Sequence, residues 1–265
     1  MIEIIRRQFG RNGWFLLAAT GLLALFEFIL CAVVASMDLE ATFAQLTTLA
    51  PPLIRAMIEQ NMPGGSPADV LSFGWNHPVA HALLTAIAIT LPARAIAGEI
   101  ENGVIELVLA QPISRAQYFA AHVIFGAGAI SAVIVGGLFG TALGQAIFSL
   151  NAFGWERMAG LYVNAFLLQL AIYSLTLAVS AFGREAGRVA VAGMLIAVVS
   201  FLINAITMLW AKAEFLKPFS LHAYFIPREV LAQGHLAISS VLVLTTVAAL
   251  AMAVAYSRFA ARDLP

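Results

Sequence analysis

Apolar residues fill six long stretches of the chain, and most charges are confined to the intervals between them. A helix rises 1.5 Å per residue and needs about 20 apolar residues to cross roughly 30 Å of hydrocarbon. The stretches that qualify are about 14–37, 78–97, 118–148, 158–182, 189–210 and 236–257. The longest, 118–148, is expected to tilt or to break at its glycines. The predicted fold is all-α: a polytopic membrane protein, residues 1–265 forming a single transmembrane domain of six helices.

Composition agrees. Of 265 residues, 62% are hydrophobic and 11% charged, where a soluble domain carries about 25% charge. So little polar surface cannot coat a water-soluble globule. A net charge of zero argues against a nucleic-acid partner. The single Cys31 excludes a disulfide framework. The first apolar run is too long for the core of a cleavable signal and lacks a small-residue cleavage site.

Basic residues orient the spans. Arg6, Arg7, Arg11, Arg94, Arg115, Arg184, Arg188, Arg258 and Arg262 fall on the side of the termini, against five Lys/Arg on the other side. The excess makes both termini cytoplasmic. Residues 1–12 place Ile2, Ile5 and Phe9 at helical spacing with arginines between them. They read either as an amphipathic helix on the inner leaflet or as a basic flank that only fixes topology. In the third span Gly128, Ala132, Gly136, Gly140 and Gly144 recur every fourth residue, a ridge that invites close helix packing.

The interval after the second span, residues 98–115, reads GEIENGVIELVLAQPISR. Taken as a helix over 98–109, it lines up Ile100, Val104, Leu107 and Val108 on one face, with Glu99, Glu101 and Glu106 elsewhere on its surface. Pro112 stops such a helix. Ser114 and Gln117 form a capping box that opens the third span. An acidic amphipathic helix suits the negatively charged inner leaflet poorly. A protein partner that accepts an apolar ridge rimmed by carboxylates suits it better.

Glu99, Glu101, Gly103, Glu106, Leu107, Leu109, Pro112, Ser114 and Arg115 together resemble the cytoplasmic signature of type-2 ATP-binding-cassette (ABC) exporter permeases, with Val104 standing where that signature has Thr. The six-span layout and the stretches FGREAGR and KPFSLHAYFIPREVLAQG are similar as well. The resemblance implies that residues 98–111 form a coupling helix docked on a separate ATPase, with Glu99, Glu101, Gly103, Glu106, Leu107, Pro112 and Arg115 at the contact. It implies two permease copies, expected as a homodimer, and two ATPase subunits that bind ATP and Mg. The chain itself has no G-x-x-x-x-G-K-[ST] loop, so no cofactor is expected on it and it is not read as an enzyme. A bacterial inner membrane is the expected location.

Other residues invite a role. Glu27 lies mid-way in the first span, where a carboxylate needs a partner, a proton or water. It is a candidate on a substrate path and equally a structural hydrogen-bonding group. His77 and His81 stand four apart, a spacing that lets two imidazoles share a metal. No third ligand is visible, and His77 may be read instead as an interfacial residue beside a helix start at Pro78. Segments 38–76 and 211–235 are expected outside the membrane; the family resemblance implies that 211–235 dips back into the outer leaflet, the alternative being that both rest on the bilayer surface. The function expected is export of an amphipathic or hydrophobic substrate. The alternative is a membrane scaffold or assembly factor working with an ATPase, for example in metal-cofactor maturation. An intramembrane enzyme is disfavoured, because neither H-E-x-x-H nor G-x-S-x-G occurs.

Overall fold

The computed structural model describes residues 1–51, 55, 65–105 and 112–262, and among them every regular element is a helix. Six helices are long and apolar enough to cross a membrane. The chain is an all-α integral membrane protein.

Helix α1 (Ile2–Ser36) is continuous from the second residue. Residues 1–12 therefore form no separate surface helix. Ile4, Gln8, Asn12, Leu16, Ala19, Leu23, Glu27, Cys31 and Val34 are its buried positions, one every third or fourth residue. Ile2 and Phe9 point outward, 77% and 58% exposed. After Ile4 the inward face carries the polar pair Gln8 and Asn12, tolerated there because Asn12 Nδ2 donates to Gln8 Oε1 at 3.1 Å.

A short helix α2 (Leu39–Leu49) follows. The second span is assembled from pieces. Helix α3 (Pro67–Trp75) is capped by Ser66, whose Oγ accepts from Asp69 N at 3.2 Å. Helix α4 (Pro78–Ala93) starts after a break at Asn76–His77. It runs into a π-helical turn, Arg94–Gly98, and a last helical turn, Glu99–Glu101.

Helix α5 (Arg115–Phe148) is a single unbroken helix despite its glycines, and it opens with the Ser114–Gln117 capping box. Helices α6 (Trp155–Phe182) and α7 (Ala186–Leu209) supply the fourth and fifth spans. Two 3₁₀ turns (Ala211–Phe219 and His222–Tyr224) and a short helix α8 (Pro227–Leu231) lead to the last span, α9 (Ile238–Ala261).

Burial sorts the spans. The second and fourth are 67% and 61% buried in their apolar windows, while the first, fifth and sixth are 22–28% buried. The bundle is built around α4 and α6, with α1 packed along α5 and α9 along α6. Trp14, Val191, Leu195, Leu242 and Leu250 are exposed, which in this fold presents them to lipid.

Close approach of α1 to α5 uses one half of the small-residue ridge. A Cβ on Gly136 would meet the side chain of Thr20. One on Gly140 would run into the backbone of Ala24, and one on Gly144 into Cys31. Gly128 and Ala132 continue the four-residue interval but are exposed, and nothing lies within 4 Å of the Cβ position at Gly128. A straight helix turns 3.6 residues per turn, so a strict four-residue ridge drifts off any one neighbour. Gly140→Val is accordingly expected to destabilise the protein by about 1–3 kcal/mol or more through overpacking. Gly128→Ala should leave thermal unfolding of the purified protein unchanged. Equal melting temperatures for the two variants would contradict this packing.

Candidate functional site

The bundle end that carries both termini is tied together by polar contacts, and Glu99 and Glu101, just after the second span, take part in them. The local chemistry begins at Pro92. Proline lacks an N–H and disturbs the helical ladder, and the π turn follows two residues on. Ser180 of α6 satisfies the disturbed backbone: Ala97 N donates to Ser180 Oγ at 3.0 Å, and that hydroxyl donates to Ala93 O at 3.4 Å. Tyr118 OH donates to Ala95 O. The second span thus leaves the bundle with its irregular turn fastened to α5 and α6.

Glu99 comes next. It is 2% exposed and accepts from two arginines of α1, Arg7 Nη2 at 3.1 Å and Arg11 Nη1. The two arginines are four residues apart on one helical face and bracket the carboxylate. Glu99 is therefore turned into the protein, a member of an internal ion cluster. Glu101, two residues on, is exposed; its Oε2 accepts from Ala186 N at 2.8 Å. That carboxylate sits at the N-terminus of α7, where unpaired N–H groups and the helix dipole both favour it.

The helix expected over 98–109 is interrupted after Glu101 and resumes at Val104 and Ile105. Asn102 and Gly103 form a turn, with Gly103 at φ +66°, a left-handed conformation that glycine adopts without strain. Glu106 and Leu107 lie outside the described residues. Pro112 is exposed and non-helical. Arg115, the first residue of α5, reaches across to α9, its Nη1 donating to the carbonyls of Phe259, Ala260 and Arg262 at 2.7–3.2 Å. Arg262 repeats the device on α6, donating to Ala181 O and Gly183 O at 2.9 and 2.8 Å. Both arginines neutralise helix C-termini. Sequence reading treats Arg262 only as an orienting charge, and the pairing of an arginine with the end of another helix leaves no signal at short range.

The other candidates lie elsewhere. Glu27 is fully buried where α1, α3 and α5 meet. Thr141 Oγ1 donates to its Oε2 at 3.3 Å, and its Oε1 has no partner among the described residues. Gly74 packs against the same region, where a Cβ would run into the side chain of Leu30. His77 and His81 do not converge. His77 Nδ1 accepts from Val79 N at 3.2 Å as the cap of α4, and its ring lies against Phe26 and Phe73. His81 Nε2 meets Asn76 Oδ1 at 3.2 Å, and its ring centroid lies 5.1 Å from that of His222. No group of three or more metal-ligating side chains occurs among the described residues.

Compared with known proteins, the chain matches the sequence profile described as "ABC-2 family transporter protein" over residues 7–264. No curated protein matches it.

The Glu99 cluster makes its own prediction. Removing Arg7 and Arg11 together leaves a buried carboxylate unpaired, a loss bounded by about 3–5 kcal/mol and reduced because the guanidinium groups are each more than a third exposed. The double variant Arg7→Ala/Arg11→Ala should therefore melt earlier than Glu99→Gln, which leaves two arginines able to reach water. Glu99→Gln melting at or below the double variant would argue against this assignment.

Proposed function

The chain belongs to the ABC-2 family of transporter proteins, as the membrane permease of an ABC transporter, and from that premise we propose that the anchored interval 98–111 is where an ATPase subunit pushes. The observation that carries this reading is the double tether. Glu99 joins the interval to α1 and Glu101 joins it to α7, while the chain itself joins it to the second and third spans. A displacement of the interval is shared at once among four of the six spans.

The proposed mechanism follows from that linkage. A soluble ATPase binds ATP and Mg, and two ATPases work with two copies of this chain as a homodimer. Closure of the ATPase pair moves the interval, with Glu106 and Leu107 at the contact. Packed helices respond as bodies and not as continuously deformable material, so the tethered spans tilt together and switch access between the two sides. ATP drives the cycle only if the ATPase pair binds one arrangement of the spans better than the other. The nine arginines on the side of the termini support placing that end in the cytoplasm of a bacterial inner membrane. Export of an amphipathic or hydrophobic substrate suits the apolar bundle.

In this scheme Glu101 transmits and Glu106 docks. Glu106→Lys is expected to reduce co-purification of the ATPase. Glu101→Ala, which removes the acceptor, is expected to leave the complex assembled while lowering transport-stimulated hydrolysis by about tenfold, within the 5–150-fold range of ordinary coupling energies. The two measurements are pull-down yield and ATP turnover of the reconstituted complex. Full binding and full turnover in Glu106→Lys would overturn the docking assignment.

A further inference from the structure

At the bundle end opposite the termini, a cavity of about 480 Å³ opens between α3, α7 and the segment of 3₁₀ turns that follows α7. That volume falls within the range of small-molecule sites, about 300–1,000 Å³. We propose that this cavity binds a phosphate–ammonium zwitterion of the phosphoethanolamine type, either as a lipid headgroup or as a free molecule.

Two polar side chains are aimed by partners behind them. His222 lines the cavity with Nδ1 held 2.8 Å from Ser200 Oγ, and its backbone N–H donates to the same hydroxyl at 3.2 Å. Burial, reinforced by His81 nearby, holds the His222 imidazole down at about 3. The ring is neutral at ordinary pH, and with Ser200 on Nδ1 its Nε2 edge is what remains for a ligand. Asn76 also lines the cavity, and its Oδ1 is taken by His81. The amide N–H groups of Asn76 are thereby left as donors. The Asn76 amide, joined by the His222 Nε2–H in the tautomer where Ser200 Oγ donates to Nδ1, suits the oxygens of a phosphate.

The charges on the wall are of both signs. Arg228 and Lys217 stand with Glu214 and Glu229. Arg228 is fixed from behind by Asp69, Nε to Oδ1 at 3.2 Å, and still has guanidinium N–H groups to offer. Lys217, Glu214 and Glu229 have no ion-pair partner among the described residues. A simple anion would face two unpaired carboxylates, and a simple cation would face the lysine and the arginine. A zwitterion answers both signs. The rings of Phe73 and Phe225 on the same wall can face its ammonium.

The segment that closes the cavity also carries exposed aromatics: Phe215 and Phe219 are 71% and 75% exposed, and Trp210 just before them 59%. Tryptophan settles at the level of lipid headgroups, and the exposed phenylalanines suit the adjoining acyl region, which supports a headgroup entering the cavity from the side. This inference concerns binding alone and stands apart from the ATPase reading, since it is measured on the permease without nucleotide.

The test uses native mass spectrometry of the purified chain with phosphatidylethanolamine and phosphatidylglycerol at equal concentration, and calorimetry with soluble phosphoethanolamine. Phosphatidylethanolamine is expected to be retained about tenfold better, which is 1.4 kcal/mol. The preference should vanish in Glu214→Gln/Lys217→Gln, which removes two exposed charges, and in Asn204→Leu, which fills the cavity and leaves its charges intact. Binding of soluble phosphoethanolamine as well would identify a free ligand; binding of the lipid alone would identify a headgroup. Equal retention of the two lipids together with no binding of the soluble probe would overturn the proposal, as would a preference that survives both variants.

Discussion

In hydrocarbon no water is present to satisfy a stray backbone N–H or carbonyl, so each helix end, break and irregular turn must find its partner inside the protein. The fold can be followed from one such settlement to the next. Ser180 answers the π turn below Pro92. Arg115 answers the end of α9, and Arg262 the end of α6. Gln145 holds the tight turn after α5 by accepting from Ala152 N and Phe153 N. Asn164 ties α6 to the segment near α8 through Tyr224 O and Ile226 N. Apart from the local Gln145, each of these side chains joins two elements distant in sequence, so satisfying the backbone and fixing the tertiary arrangement are one process.

This constraint also explains what the sequence shows openly and what it conceals. Six apolar stretches, the Ser114–Gln117 box and the break near Pro78 are local, and composition and capping chemistry reveal them directly. The inward face of α1 is not local. Spacing of apolar residues favours Ile2, Ile5 and Phe9, yet Gln8 and Asn12 go inward because they bond to each other. Outward, Arg7 and Arg11 are held by Glu99, which lies 88 to 92 positions along the chain. Likewise Gly103 reads as a small residue within a helix, while its positive φ makes it a turn. His81 finds its imidazole neighbour at His222, in another segment altogether, and not at His77, four residues away. Long-range pairs of polar groups are invisible to periodicity, and they decide the details of both bundle ends.

The two ends divide the labour. At the end of the termini, several charges are paired: buried Glu99 with two half-exposed arginines, and helix carbonyls with Arg115 and Arg262. At the opposite end, Lys217, Glu214 and Glu229 stand without ion-pair partners among the described residues around an open cavity, and exposed aromatics mark the level of the lipid headgroups. Cross-links at one end and an open, charged cavity at the other suit the division proposed above, with an ATPase acting on the first and a headgroup-like ligand held in the second.

The π turn at Arg94–Gly98 adds one more meaning. A wider turn accommodates an additional residue, and one residue corresponds to about 100° of helix rotation. Everything beyond it is therefore re-phased relative to the span before it. The carboxylate of Glu99 faces α1 because of that offset; an ideal α-helix through the same residues would aim it at a different neighbour. The irregular turn acts as a gear set between span and loop, and fixes the bearing at which the chain emerges from the membrane.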